Sequence, residues 1–292
     1  MEQFDVRFHR AFKPSFDGAP VERKRRAFGV DYLHLRGRQS GDLYVTRHGW
    51  PTVESLLPSR WFTNDRFRKE GRALAGATGA VYRVPVPHPV RTAFALVVKF
   101  SRFGQAAFVR VDPAMADSWQ ERDRMESGEF LPPFEEFGHL CALRASPGPP
   151  IPTKMPLAIY SPPTHHHDWE LGRSSHLRHR HNHRLELDQQ SEPTDRRLSY
   201  HWERLYILLY RWMDGLDAEQ AVQHGWINQD TMVGLARTAR AELRARGWEV
   251  LDHKPRHLIL RAPHPQRGLL VRHNRPVWGL VDYELLVPYT SP

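Results

Sequence analysis

Six consecutive residues, "DHKPRH" at 252–257, put an aspartate, two histidines, a lysine and an arginine into one turn. Apolar residues flank it, Val250 and Leu251 before and Leu258–Leu260 after. Asp252, His253, Lys254, Arg256 and His257 can make an ordinary solvated turn, with Asp252 bonding its own backbone as turn aspartates do. The same set can make a catalytic loop, or an anion site without catalysis. Other polar residues stand beside short apolar runs. Lys99 lies near the end of "ALVVKF", where a plain strand-end lysine would reach solvent. Asp282 follows "VWGLV". Gly76 and Gly79 in "GATGAVY" mark a turn that either closes a hairpin or leaves backbone N–H groups free to face a phosphate.

These residues need elements to hold them. Strands or hairpins are expected near 29–36 and 42–47, with "GRQSGD" as the turn between them. The stretch 51–74 reads as amphipathic helix broken at Pro58. "AVYRVPV" and "RTAFALVVKFS" read as an antiparallel strand pair. Residues 104–131 read as loop or short helices. "PPFEEFGHLCALR" is a helix, with prolines at its start, acids in its first turn and Arg144 in its last. Phe134, Phe137, Leu140 and Cys141 share one of its faces. "MPLAIY" and "RLYILLYRW" read as strands, and 161–200 as a long exposed insertion. A turn and short helix follow at "MDGLDAEQAVQHG". An amphipathic helix with Met232, Leu235, Ala239 and Leu243 near one face comes next, and short strands at "GLLVR" and "VWGLVDYELLV" close the chain. That order is α+β, not alternating βαβ.

Composition narrows the partners. Apolar residues are 40% and charged residues 26% of the 292, the balance of a folded chain and not of a disordered one. The net charge of +9 favours anionic partners: nucleic acid, nucleotide phosphates or an acidic protein. Arginine far outnumbers lysine, which suits bidentate phosphate contacts but also follows from a GC-rich coding sequence. No apolar run is long enough to span a bilayer, and no secretory h-region is visible. Cys141 is the single cysteine, so no internal disulfide can form. A cytoplasmic protein without a membrane partner is expected.

Over 76–286 the residues resemble the protein-kinase-like fold, with its motifs in the family's order. "GATGAVY" is similar to the glycine-rich loop: Gly76 and Gly79 keep its second and third glycines and Val81 its valine, with Leu74 at the first glycine's place. Lys99 resembles the lysine of "VAIK", and Glu135 or Glu136 the helix glutamate that pairs with it. Glu136 is preferred, because Leu140 four residues on would share an inward face with it. "DHKPRHLIL" resembles the catalytic loop, with Asp252 on the base and Lys254 on the loop lysine; "LVDYELL" resembles "DFG", with Asp282 on the magnesium-binding aspartate.

The resemblance implies a two-lobed α+β fold: an antiparallel upper-lobe sheet with one main helix, and a small, mostly helical lower lobe. It implies residues 1–75 as an N-terminal extension packed on the kinase-like part, 76–213 as the upper lobe with 161–200 as its insertion, and 214–292 as a minimal lower lobe. ATP and Mg²⁺ are the implied cofactors. The nucleotide is expected between the lobes, its adenine near Tyr210–Met213. Phosphoryl transfer needs a lysine on the phosphates, an acid on the metal and an acid orienting the acceptor hydroxyl. The departures bear on activity. His257 stands where the family has its metal-binding asparagine, and imidazole suits zinc better than hard magnesium. Val250 and Leu251 replace His and Arg, and Tyr283 and Glu284 replace Phe and Gly. Few residues follow Asp282, so no activation segment or peptide-docking part is expected.

Residues 165–183 hold His165, His166, His167, His176, His179, His181 and His183. Their spacing matches no recognised ligand pattern, so zinc is not expected there. With Arg173, Arg178, Arg180 and Arg184 the segment can instead touch nucleic acid or acidic protein, although it matches no recognition module. The leading expectation is a pseudokinase or regulatory module that binds ATP or a related nucleotide and acts on a protein partner. The alternatives are an active atypical kinase for a small molecule or protein, and a basic adaptor without a nucleotide site.

Overall fold

Turn residues cut the first hundred positions into short extended runs, and these pair edge to edge. The computed structural model describes residues 15–37, 39, 41–74, 80–87, 94–107, 123, 128–148, 151–262, 268–272 and 275–289. The chain forms two compact units. The first comprises Met1–Gln105, Pro132–Gly138 and Met155–Trp212; the second comprises Ala106–Leu131, His139–Lys154 and Met213–Pro292. Both are mixed α and β, and every strand pair within their sheets is antiparallel.

The first unit begins with strands β1 (Lys24–Ala27), β2 (Val30–Gly37) and β3 (Gly41–Thr46). Short helices α1 (Val53–Leu56), α2 (Pro58–Trp61) and α3 (Arg66–Lys69) follow where one interrupted helix was expected. Pro58 does end α1, because it holds Leu57 extended at ψ 135°. A second break lies at Asn64 and Asp65, whose φ of 59° and 58° is left-handed. Strands β4 (Arg72–Ala73), β5 (Val81–Pro85) and β6 (Ala95–Phe100) come next, then helix α4 (Pro133–Ala145), which gives Pro133–Gly138 to this unit. Strand β7 (Pro156–Ser161), helix α5 (Ser175–Asp188) and strand β8 (Ile207–Arg211) complete it.

Among the described residues these strands make one eight-stranded sheet, in the order β1-β2-β3-β7-β8-β6-β5-β4. Residues 1–75, expected as an extension, supply both edges of this sheet: β1–β3, joined through the β3–β7 pair, and β4, joined through β5. Leu33, Val45, Leu96, Val98 and Leu209 point to the face covered by Trp61 and Phe67, and all are buried. Alternation along β5 sends Tyr82 and Val84 to that face, and Val81 and Arg83 to the other.

The histidine-rich segment, expected as an exposed insertion, contains the helix α5. Leu177, His181 and Leu185 recur every fourth residue and bury one face of it. Arg173, just before the helix, is itself buried. It donates to the carbonyls of Phe103, Trp202 and Arg204 and lies 4.7 Å over the Phe103 ring. Burial pushes its pKa down to about 10. Three carbonyl acceptors and an aromatic face make this arginine a pin for the segment, not a contact for an outside anion.

A second buried charge holds one end of the β3–β7 pair. Arg204 donates to Asp42 Oδ2 at 2.7 Å and to the carbonyls of Pro162 and Ser161, and His34 Nε2 lies 2.7 Å from Asp42 Oδ1. Burial alone would raise the Asp42 pKa, but the hydrogen bonds from His34 and Arg204 hold it far below the usual carboxylate range.

The second unit holds the rest of α4, then β9 (Leu216–Asp217), α6 (Ala218–Gln223), α7 (Gln229–Arg244), β10 (Trp248–Val250), β11 (Leu258–Leu260), β12 (Val271–Arg272), β13 (Arg275–Pro276), β14 (Trp278–Leu280) and β15 (Leu286–Pro288). It carries short strands as well as helices. Its sheets are β14-β11-β9, β10-β15 and β12-β13. Side-chain caps start both helices: Asp217 accepts the Gln220 N–H and Asn228 the Thr231 N–H, each at 2.8 Å. Met232, Leu235, Ala236, Ala239 and Leu243 bury one face of α7. Glu249 is buried beneath Arg240 and Arg244. Among the described residues no helix is long and apolar enough to cross a membrane.

The Asp42 cluster generates a stability prediction. Arg204→Met strands a buried carboxylate and should cost about 3–5 kcal/mol in urea unfolding. Arg204→Met with Asp42→Leu should cost clearly less, because no lone charge remains. Equal losses in the two variants would show that the pair is not the cause.

Candidate functional site

Lys99 sits on β6, an interior strand of the first unit's sheet. Val81 on β5 and Leu208 on β8 are its cross-strand neighbours. Strand alternation turns its side chain away from the Leu96–Val98 face. Helix α4 brings an acid to meet it: Lys99 Nζ donates to Glu136 Oε1 at 3.0 Å. The Tyr210 hydroxyl, from β8, donates to the same oxygen at 2.6 Å. All three residues are buried, Glu136 with 1% of its surface exposed. Glu135 turns elsewhere and receives Arg184 of α5 at 3.0 Å. The preference for Glu136 over Glu135 as the partner of Lys99 agrees with this geometry.

Tyr210 was singled out as part of a nucleotide hinge. Its ring lies 5.2 Å from that of Phe137, and its hydroxyl serves the ion pair. No periodicity announces this role, because a strand tyrosine in an apolar run reads as core. Ion pairs in protein interiors recover little of their desolvation cost, and an apolar pair of similar volume is often as stable. Stability alone therefore does not call for Lys99 and Glu136.

The second unit positions the other candidates. Pro255–His257 is a single 3₁₀ turn leading into β11. Lys254 Nζ lies 2.6 and 2.7 Å from the two oxygens of Asp252. The Asp252 side chain keeps 18% exposure, so the pair borders solvent. Asp282 follows β14 with φ 76°, a left-handed geometry that a non-glycine residue adopts at a cost. Its turn is tied at several points. Val281 N–H donates to the His257 carbonyl at 2.9 Å and Leu286 N–H to the Tyr283 carbonyl at 3.1 Å. The buried Tyr283 hydroxyl donates to the Leu280 carbonyl and accepts the Lys154 N–H. Glu284 is buried as well. Tyr283 and Glu284, which replace the family's Phe and Gly, thus belong to a braced turn.

His257 Nε2 and Asp282 Oδ2 stand 3.7 Å apart, too far for a hydrogen bond. Neighbouring ligands on a cation with bonds of about 2.1 Å lie roughly 3.0–3.4 Å apart, so a small side-chain shift would let both donors share one ion. Burial pushes the His257 imidazole below its ordinary range, against the upward pull of Asp282 and Asp252. Its Nδ1 has no hydrogen-bond partner among the described residues. A neutral imidazole beside one carboxylate fits manganese or zinc better than magnesium. Among the described residues no three metal-ligating side chains come together, in the histidine-rich segment or elsewhere.

Gly76 and Gly79 lie outside the described residues. Met213 is buried against Gly279, where an added Cβ would come 2.6 Å from its sulfur. A recess of about 460 Å³ in the second unit is lined by Trp226, Ile227, Gly268, Leu269, Val271 and Pro276. Among the described residues that line it there is no candidate residue and no titratable side chain. Sequence reasoning also missed the role of His253, whose Nε2 donates to the Ala236 carbonyl of α7 at 2.9 Å and anchors the Asp252 turn to that helix. Compared with known proteins, the chain matches no family model and no curated sequence.

Burial of His253 fixes the sign of a pH effect. Desolvation lowers its pKa from 6.5 to about 4 in the folded state. The folded pKa is the lower one, so the contribution is fully present above about pH 6.5. It declines below that and is lost as the pH passes through about 4. The difference is worth about 3 kcal/mol. His253→Gln should lose that much less stability than the native chain between pH 7 and pH 4 in urea titrations. Parallel losses would show that His253 is not a buried neutral group.

Proposed function

We propose that the chain is a divergent kinase-like protein that binds ATP or a related nucleotide and acts as a pseudokinase or regulatory module. The observation that carries this reading is the buried Lys99–Glu136–Tyr210 arrangement. It joins the strand lysine and helix glutamate that the resemblance pairs, in a place where packing alone would favour apolar side chains. The setting supports it: an antiparallel sheet receives its acid from α4, the one long helix among the described residues between β6 and β7.

In this reading Lys99 contacts phosphate oxygens, and Glu136 holds its ammonium in place. Tyr210 steadies Glu136, and any contact to the nucleotide's ring falls to the backbone near 210–213. Asp282 and His257 are the residues that would hold a divalent cation, which would supply charge neutralisation to a phosphate. Asp252 accepts a hydrogen bond from an acceptor hydroxyl. The braced Asp282 turn and the imidazole at a magnesium position favour binding over fast turnover. One observation favours the active reading: the Asp252–Lys254 pair is intact and borders solvent.

Calorimetric titration with ATP tests the proposal. ATP should bind in the presence of divalent cation, more tightly with Mn²⁺ than with Mg²⁺. Asp282→Ala should abolish that metal dependence. Lys99→Met with Glu136→Gln, which leaves no lone buried charge, should weaken binding at least tenfold. Failure of every nucleotide to bind the folded chain would overturn the reading. Turnover lost in Asp252→Asn would replace the pseudokinase with an active kinase.

A further inference from the structure

The edge of the first unit's sheet carries two arginines placed against each other. In the β4–β5 register Arg72 lies directly opposite Arg83, and both are exposed. Directly opposed residues project from the same face, and like charges so placed destabilise the pair. Among the described residues neither guanidinium meets a carboxylate. Glu70, the nearest acid in sequence to Arg72, is held by Arg66 at 2.8 Å.

The register also says which face this is. Arg83 pairs with Val97 and Val81 with Lys99. Residues two apart on a strand share a face, so Arg72, Arg83, Val81, Val97 and Lys99 all project to one side. Tyr82 and Val84 project to the other, where Tyr82 meets Phe67 and Phe100. At about 4.8 Å between strands and 3.4 Å per residue, the Cα atoms of Arg83 and Lys99 are roughly 8 Å apart. The arginines therefore stand on the lysine's side of the sheet, within reach of one small ligand.

One of them is already oriented. The Arg83 guanidinium lies 5.0 Å over the Trp212 ring. That contact restrains the Arg83 side chain, and a guanidinium so placed suits bidentate contact to phosphate oxygens. Two facing guanidinium groups complement a phosphate dianion or a pyrophosphate better than a single carboxylate.

We infer that Arg72 and Arg83 form a clasp for a phosphoryl group of a small phosphorylated ligand. The clasp stands on register and charge; it rests on the nucleotide reading only for the choice of that ligand. A bound phosphate offsets the repulsion that the empty pair carries.

Pyrophosphate and ATP are the probes, with binding and thermal unfolding followed on the intact chain. Pyrophosphate should bind and raise the unfolding midpoint. Arg72→Ala with Arg83→Ala should weaken pyrophosphate and ATP at least tenfold. Arg72→Glu should raise the midpoint without ligand, because an opposite-charge pair replaces the repulsion, and should abolish the response to pyrophosphate. That combination, stabler but non-binding, would not come from a structural defect. ATP binding lost in the arginine variants but kept in Lys99→Met with Glu136→Gln would support the clasp and remove the lysine's role. ATP binding lost only in the lysine variant would overturn the clasp and leave the nucleotide reading. Native protein that ignores pyrophosphate, or prefers a single-stranded oligonucleotide to it at equal salt, would also overturn the clasp.

Discussion

The Glu136 carboxyl group is taken out of water, and a buried acid costs free energy unless a cation and hydrogen-bond donors meet it. Lys99 and Tyr210 meet it from two adjacent strands while the acid itself rides on α4. One oxygen thereby fixes the rotation of the helix against the sheet and the direction of the lysine. Glu135, one residue earlier, faces about 100° away around the helix and engages Arg184 on α5. Two successive acids thus tie one helix to two different parts of the same unit. The Arg72–Arg83 pair gains its significance from this frame, because the register that orients Lys99 also places both arginines on its side.

In the second unit the governing constraint is backbone, not a buried charge. The Asp252 turn is anchored to α7 through His253, and the Asp282 turn is tied to His257 through Val281. Asp282 keeps a left-handed conformation that costs free energy, and the buried Tyr283 hydroxyl braces the residues around it. Two carboxylates and an imidazole are thereby set on short, stiff connections. Stiffness suits binding and orientation, and it leaves little of the mobility that many transferases use to close and release.

Much of this was legible in the residues, for identifiable reasons. Helices α4 and α7 announce themselves by proline or asparagine at the start and apolar residues at helical spacing, and β5 and β6 by alternation and β-branching. The lysine, the glutamate and the Asp252 turn could be named because each lies beside such an element. What stayed hidden was what tertiary context decides. Helix α5 was masked by composition, since His181 does the work of a core residue and Arg173 finds its acceptors in carbonyls and not in acids. The second break in the 51–74 stretch depends on Asn64 and Asp65 adopting positive φ, which both residue types permit but do not require. The hydroxyl of Tyr210 gave no periodic signal, and neither did the inward turn of His253.

Labelling with an ATP derivative whose γ-phosphate carries a reactive acyl group tests the central claim most directly. The intact chain would be treated with and without excess ATP, and the modified lysine identified by peptide mass spectrometry. The account predicts acylation of Lys99 that ATP suppresses. Modification of Lys154 with Lys99 and Lys254 untouched, or labelling of Lys99 that ATP does not suppress, would contradict it.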